Sequence, residues 1–423
     1  MNNEAMDFAA QMDAADALAQ MSERFALPRG SEGNPLLYLC GHSLGLAPRG
    51  ARALVDEQLD DWEQLGVLGH EGARRPWIEF ADALRPGLAV LAGADSKEVV
   101  AMNSLTANLH LMLASFYRPT RERSCILIEG GAFSSDRHAV ASQIAWHGYD
   151  PASSLIELRP EPGGDLIDPE QIETLLRERG EQIALVLWPG VQFRTGQAFD
   201  ITRLARACRA TGCTLGLDLA HAIGNVPLQL HGDEVDFAVW CSYKYLNGGP
   251  GAIGGAFVHQ KHFGVDLPRL TGWWGHESTT RFAMGEQFVP GAGAAGWQLS
   301  NPSILATAPL IASLQLFISA GLPALLQKSR ALTGFLAQLI LQRCSDAVQI
   351  VSPLRAEARG CQLSLRINAG RNAGLRAFRQ LASLGVVADW REPDIIRVAP
   401  VPLYNSFADV ARYVQLLATA LRA

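Results

Sequence analysis

Seven short apolar runs along the middle of the chain constrain its fold more than any other feature. They are EVVAMN (98–103), CILIE (125–129), SLIEL (154–158), IALVLW (183–188), TLGLD (214–218), VDFAVWC (235–241) and AIGGAFV (252–258). Each is nearly continuous in apolar residues rather than alternating, the pattern of strands covered on both faces. Helix-length segments lie between them at 105–115, 134–146, 169–178 and 201–211, and Asp168 before Pro169 supplies a cap followed by proline at a first helical position. This repeated order predicts an α/β fold with an open, mostly parallel sheet, right-handed crossovers and helices on both faces. The last two runs are joined by LNGGPG instead of a helix, so a different local connection is expected there. Beyond about residue 302 the texture changes to two long amphipathic helices (303–320 and 323–343), the runs VQIVS, CQLSLRI and IIRVAPV, and a final helix over 406–421. The expected division is a large α/β domain over 61–302 and a smaller α+β domain built from 1–60 and 303–423.

Composition narrows the function classes. With 48% hydrophobic and 18% charged residues, the chain of 423 can bury a sizeable core. A net charge of −6 argues against nucleic acid as the main partner, because phosphate binding needs a basic face. The seven cysteines (40, 125, 208, 213, 241, 344, 361) are odd in number and form no CxxC pair, so neither a disulfide framework nor a metal site is expected. A reducing compartment, the cytoplasm, fits them. The N-terminal stretch reads as an acidic amphipathic helix, not a signal peptide. No apolar stretch reaches the roughly 18–20 residues of a membrane span.

In open α/β sheets ligands bind beyond the carboxyl ends of the strands, so the residues that follow each run matter most. Ser104, Leu105 and Thr106 open a helix after the first, where N–H groups and hydroxyls form an anion site. Phe133, Ser134, Ser135 and Asp136 follow the second. Asp218 ends the fifth, with His221 three residues on; Ser242, Tyr243 and Lys244 follow the sixth. The chain has only four lysines, and Lys97, Lys261 and Lys328 lie in ordinary polar or helical settings. Taken singly, each residue has a structural reading: a helix cap, a core phenylalanine, a turn aspartate, a buried histidine, a snorkelling lysine. Together, in order and at strand ends, they are the set that pyridoxal 5′-phosphate requires: a lysine for the Schiff base, a carboxylate for the pyridine nitrogen, an aromatic face and a phosphate cradle.

The stretch DLAHAIGNVPLQLHGDEVDFAVWCSYKYLNGGPGAIGGAFVH resembles the kynureninases, a family of fold-type I, class-V aminotransferase-like pyridoxal-phosphate enzymes. So do YLCGHSLGLAPRG, GHEGARRPW, NSLTANLHLML, TGWWGHE, LSNPSIL and IRVAPVPLYNSF, in family order from residue 38 to residue 407. The resemblance implies hydrolysis of L-kynurenine to anthranilate and L-alanine, as in tryptophan catabolism, with the 3-hydroxy substrate left open. It implies that Lys244 carries the cofactor and shuttles a proton, Asp218 faces the pyridine nitrogen, His221 lies beside the ring and Phe133 stacks on it. Leu105, Thr106 and Tyr243 would hold the phosphate, with Ser134, Ser135 and Asp136 on the cofactor loop. Trp273 would reach the phosphate from a neighbouring subunit of a homodimer. Arg397 would clamp the substrate carboxylate, and Ser43, His70 and Asn301 would contact the substrate or its aromatic amine. His70, Asn301 and Tyr243 are the expected oxyanion donors. One departure stands out: Trp188-Pro189-Gly190 has proline where a small hydroxyl residue is expected.

Alternatives remain open at this level. An aminotransferase could use the same cofactor site. A desulfurase would need a cysteine on a mobile loop, and none of the seven sits in one. A silent cofactor-binding scaffold predicts a damaged lysine, aspartate or arginine, and all three are present. A nucleotide-binding dehydrogenase needs GxGxxG after the first strand, where none occurs.

Overall fold

A computed structural model describes residues 3–422. Its main sheet has seven strands in the order Val99–Ala101, Gly255–Val258, Phe237–Trp240, Thr214–Asp218, Ile183–Pro189, Cys125–Glu129 and Leu155–Leu158. The pairs from Phe237–Trp240 to Leu155–Leu158 are parallel. Gly255–Val258 runs antiparallel to both of its neighbours, which is the different connection expected at LNGGPG.

The continuous apolar runs have a direct cause. Successive side chains of a strand point to opposite faces, and here both faces are covered. Leu127, Val186, Leu215 and Trp240 enter one core cluster, while Ile126, Ile128, Leu185 and Val239 enter another. Helices Leu105–Phe116, Ser134–Trp146, Pro169–Arg179 and Ile201–Thr211 lie where expected. Asp168 caps its helix, accepting from Glu170 N at 2.9 Å, and Gln171 completes a capping box.

A second, four-stranded antiparallel sheet holds Val348–Ile350, Leu363–Ile367, Ile395–Val398 and Asp389–Arg391 in that order. Its core joins Leu336, Leu363, Leu365, Val410 and Leu417 with Ala9, Leu37 and Leu39 from the N-terminal part. The chain's start is thus stitched to its end: Leu37–Tyr38 pairs with Val386–Val387, and the Asp13 carboxylate accepts from Phe407 N at 2.7 Å. Helix Ile304–Ala320 instead sends Leu310, Leu314 and Phe317 into the core of the large sheet. Helices Gly50–Leu65, Arg85–Ala92 and Arg371–Ser383 add to those anticipated. No single helix among the described residues is long and apolar enough to cross a membrane.

Candidate active site

The parallel strands bring their carboxyl ends to one edge, and a cavity opens there. Leu105, Thr106, Phe133, Ser135, Asp136, Asp218, His221, Tyr243 and Lys244 all line it. They come from four loops separated by as much as 139 positions of sequence, a distance that only the sheet topology closes.

At one end of the cavity two helix N-termini meet. Neither Ser104 nor Phe133 makes a side-chain cap bond to its helix, so the first N–H groups of both helices lack a side-chain cap. The Thr106 and Ser135 hydroxyls join the two helices at 2.8 Å. Two uncapped N-termini bridged by hydroxyls form a cradle for a dianionic phosphate.

Two acids are also buried together in this cavity. Asp218 accepts from Ala220 N at 2.6 Å. Burial, then the neighbouring Asp218, pushes the Asp136 carboxyl well above the ordinary range. Its Oδ1 has no hydrogen-bond partner among the described residues. A buried acid pair with an orphaned oxygen calls for a positive partner such as a protonated ring nitrogen. Lys244 Nζ lies 3.0 Å from His221 Nε2 and 5.9 Å from the centroids of Phe133 and Tyr243. Burial, then the Lys244 charge, holds His221 well below its usual range, so its imidazole is neutral. Phosphate cradle, ring-nitrogen acids, aromatic face and amine are each present, and pyridoxal phosphate fits the residues.

Glu129 and Phe193 are among the cavity residues that were not anticipated. Glu129, at the end of Cys125–Glu129, lines the wall and accepts from Gln192 Nε2 at 2.8 Å. Phe193 packs edge-on against Phe133, with centroids 5.4 Å apart. Pro189 supplies apolar wall, and the next residue, Gly190, donates its N–H to Asp218 O at 2.8 Å. Burial pushes the Glu129 carboxyl up to about 7 from an ordinary 4.5, and the Gln192 bond offsets only part of this. The folded chain therefore holds that proton more tightly than the unfolded chain. Stability from this group declines as pH rises from about 4.5 to 7 and stays low above that. Glu129→Gln is expected to flatten this decline. Urea unfolding of the cofactor-free protein across pH 4–8 should show the variant gaining up to about 3 kcal/mol on the parent at the alkaline end.

The lysine loop leans on the N-terminal part of the chain. Gly45 N donates to Tyr243 O at 2.8 Å. A Cβ on Gly45 would stand 2.4 Å from Lys244 O and 2.2 Å from Asn247 Oδ1, so only glycine allows the approach. Gly45→Ala should cost about 1–3 kcal/mol by overpacking and displace the lysine loop. A lowered melting temperature together with weakened cofactor binding would register both effects.

The remaining expected site residues lie elsewhere in the single chain. Ser134 is exposed at the start of its helix, and Ser43 is half-buried in the turn that docks on Tyr243. Arg397 is 1% exposed and sits behind Phe193, donating to the Phe193 carbonyl at 2.6 Å and to Asp389. His70, Trp273 and Asn301 line a separate surface hollow with Val67, Leu68 and Phe282. One chain does not bring these three to Lys244.

This lysine, acid pair and phosphate cradle at the carboxyl edge of a mostly parallel sheet define a pyridoxal-phosphate enzyme of fold type I. Solved structures agree on the fold. A C-DES mutant with glycine covalently linked to its PLP cofactor superposes with a TM-score of 0.77 at 18% identity, covering 90% of this chain and 96% of that one. A cysteine desulfurase from Thermococcus onnurineus NA1 gives 0.73 at 16% identity, covering 92% and 95%. The sequence comparisons are more specific. Residues 325–417 match the family model of the kynureninase C-terminal domain. Kynureninase from Xanthomonas campestris pv. campestris (strain B100) is 55% identical over 411 residues, 97% of each chain. That of Xanthomonas oryzae pv. oryzae (strain PXO99A) is 55% identical over 403, 95% of each. The chain belongs to the kynureninase family.

Proposed function

We propose that this chain hydrolyses the Cβ–Cγ bond of L-kynurenine, releasing anthranilate and L-alanine in tryptophan degradation. The observation that carries this reading is the convergence of Lys244, His221, Asp218 and Asp136 on one cavity, in a chain 55% identical to kynureninases over nearly its whole length.

Pyridoxal phosphate, when bound, supplies covalent attachment for the substrate amine and a sink for negative charge at Cα. Lys244 Nζ takes the Cα proton. His221, neutral and 3.0 Å away, steadies that amine without competing for its charge. Asp218 and Asp136 would hold the ring nitrogen, and Thr106, Ser135 and the two helix N-termini would hold the phosphate. Tyr243, whose hydroxyl burial pushes up to about 12, stays protonated at neutral pH and can donate to the oxyanion that forms when water adds to the γ-carbonyl. Arg397 binds the carboxylate.

We place the remaining contacts across a homodimer. His70, Trp273 and Asn301 share a hollow with exposed apolar neighbours, Val67 at 77% and Phe282 at 64%. Covering that patch with a second copy would carry all three toward the partner's cavity. Mixing Lys244→Ala chains with Asn301→Ala chains should then restore activity, because half of the mixed sites would be intact. Mixtures as inactive as either parent would place Asn301 in its own chain's site. A large domain over 61–302, a small one over 1–60 and 303–423, and a cytoplasmic location complete this reading.

Purified holoprotein given L-kynurenine should produce fluorescent anthranilate and equimolar alanine with no keto acid present. A strict need for a keto acid acceptor would instead assign an aminotransferase.

A further inference from the structure

Behind Phe193, three charged side chains meet on one face of the small sheet. Asp389 and Arg397 are directly opposed across the antiparallel pair Asp389–Arg391 and Ile395–Val398. Arg391, two residues along from Asp389, projects from the same face. Asp389 Oδ2 accepts from Arg397 and, at 3.0 Å, from Arg391 Nη2. His42 Nε2 stands 3.8 Å from the same oxygen.

Two guanidinium charges against one carboxylate leave a single positive charge. The hydrogen bonding is incomplete to match. The Nε–H groups of Arg391 and Arg397 are both buried without a partner among the described residues, as are both ring nitrogens of His42. Buried donors without acceptors are costly, and a cluster of them beside a net positive charge is the complement of a missing monoanion. Burial and these two arginines hold His42 well below its usual range, so its ring adds no charge of its own.

We propose that Arg391 is a second carboxylate-binding residue, acting with Arg397 on the α-carboxylate of the amino-acid substrate, and that Asp389 positions both guanidinium groups. The proposal rests on the reading of function above. Arg397 is almost fully buried, whereas the Arg391 side chain is 36% exposed. Arg391 therefore meets the carboxylate from the solvent side and Arg397 from the interior. The clamp is tied to the cofactor cavity through Arg397 and the Phe193 carbonyl.

The test uses holoenzyme and two probes: L-alanine, the carboxylate-bearing product, and the decarboxylated analogue of kynurenine, which keeps the amine and the aryl ketone. Dissociation constants come from the change in cofactor absorbance. Arg391→Gln should weaken L-alanine, and raise KM for L-kynurenine, by about 10- to 100-fold. It should leave the decarboxylated analogue within about twofold of the parent. Arg391→Lys, which keeps the charge and loses the fork, should fall between, and it carries the same titrations if the glutamine variant does not fold. Unchanged alanine binding, or equal weakening of both probes, would overturn the proposal. Failure of the parent enzyme to release anthranilate would overturn the functional reading alone, since the alanine titration still tests the clamp.

Discussion

Lys244→Ala should yield a folded protein whose turnover of L-kynurenine falls by at least about 10⁴-fold. Two proposed roles would vanish together: covalent attachment of the cofactor and removal of the Cα proton. No neighbour can replace it. His221 Nε2 is 3.0 Å away, but burial lowers its proton affinity, and an imidazole cannot form the covalent attachment. Among the described residues no other lysine lines the cavity. The fold should survive, because Lys244 is only half-buried, with its amine beside the His221 ring and 5.9 Å from the centroids of Phe133 and Tyr243. Far-UV circular dichroism of parent strength, with no covalent cofactor by mass spectrometry and no anthranilate, is the expected result. A variant with full turnover would remove Lys244 from the chemistry.

Asp218→Asn should separate stability from activity. In the cofactor-free protein Asp218 raises the proton affinity of Asp136, after burial the largest cause of that shift. Two acids this close in a buried site cannot both ionise comfortably. Removing one charge relieves the other, so the melting temperature of cofactor-free protein should rise at neutral pH. In the holoenzyme, on the proposed reading, the same change would remove a carboxylate that would face the ring nitrogen. The expected fall in kcat is about 10²–10³-fold, in the range of a lost electrostatic stabiliser, with a smaller change in KM. Stability up and kcat down is the signature of a site that holds electrostatic strain for function. A fall in both would mean that Asp218 is chiefly structural.

How much of this was legible in the sequence depended on where each signal lay. Strands Cys125–Glu129 and Thr214–Asp218 and helices Ser134–Trp146 and Ile201–Thr211 have the bounds expected from their apolar texture, because burial on two faces marks a segment without reference to its neighbours. The residues at strand ends were legible for a related reason: parallel topology sends all of them to one edge. Helix Arg371–Ser383 was missed although Ala377 and Leu381 carry its apolar face; its ends are marked only by Gly370 and Gly385. Glu129 was invisible as a site residue, since its hydrogen-bond partner, Gln192, lies 63 positions away. The Asp389–Arg391–Arg397 cluster was likewise hidden. DWR (389–391) has no strand texture of its own and becomes a strand by pairing with Ile395–Val398. Cross-strand register, not local pattern, places the two arginines on one carboxylate.

The docking of Gly45 against the backbone of Tyr243 and Lys244 bears on how this chain can be cut or rewired. A fragment starting after residue 46 would keep every strand of the seven-stranded sheet and every residue lining the cofactor cavity. It would nonetheless lose the surface against which the reactive loop rests, along with the strand that zips onto Val386–Val387. The chain's first tenth therefore supports the lysine loop, and fusion partners or new termini are better sited at the exposed turn around Gly163–Gly164.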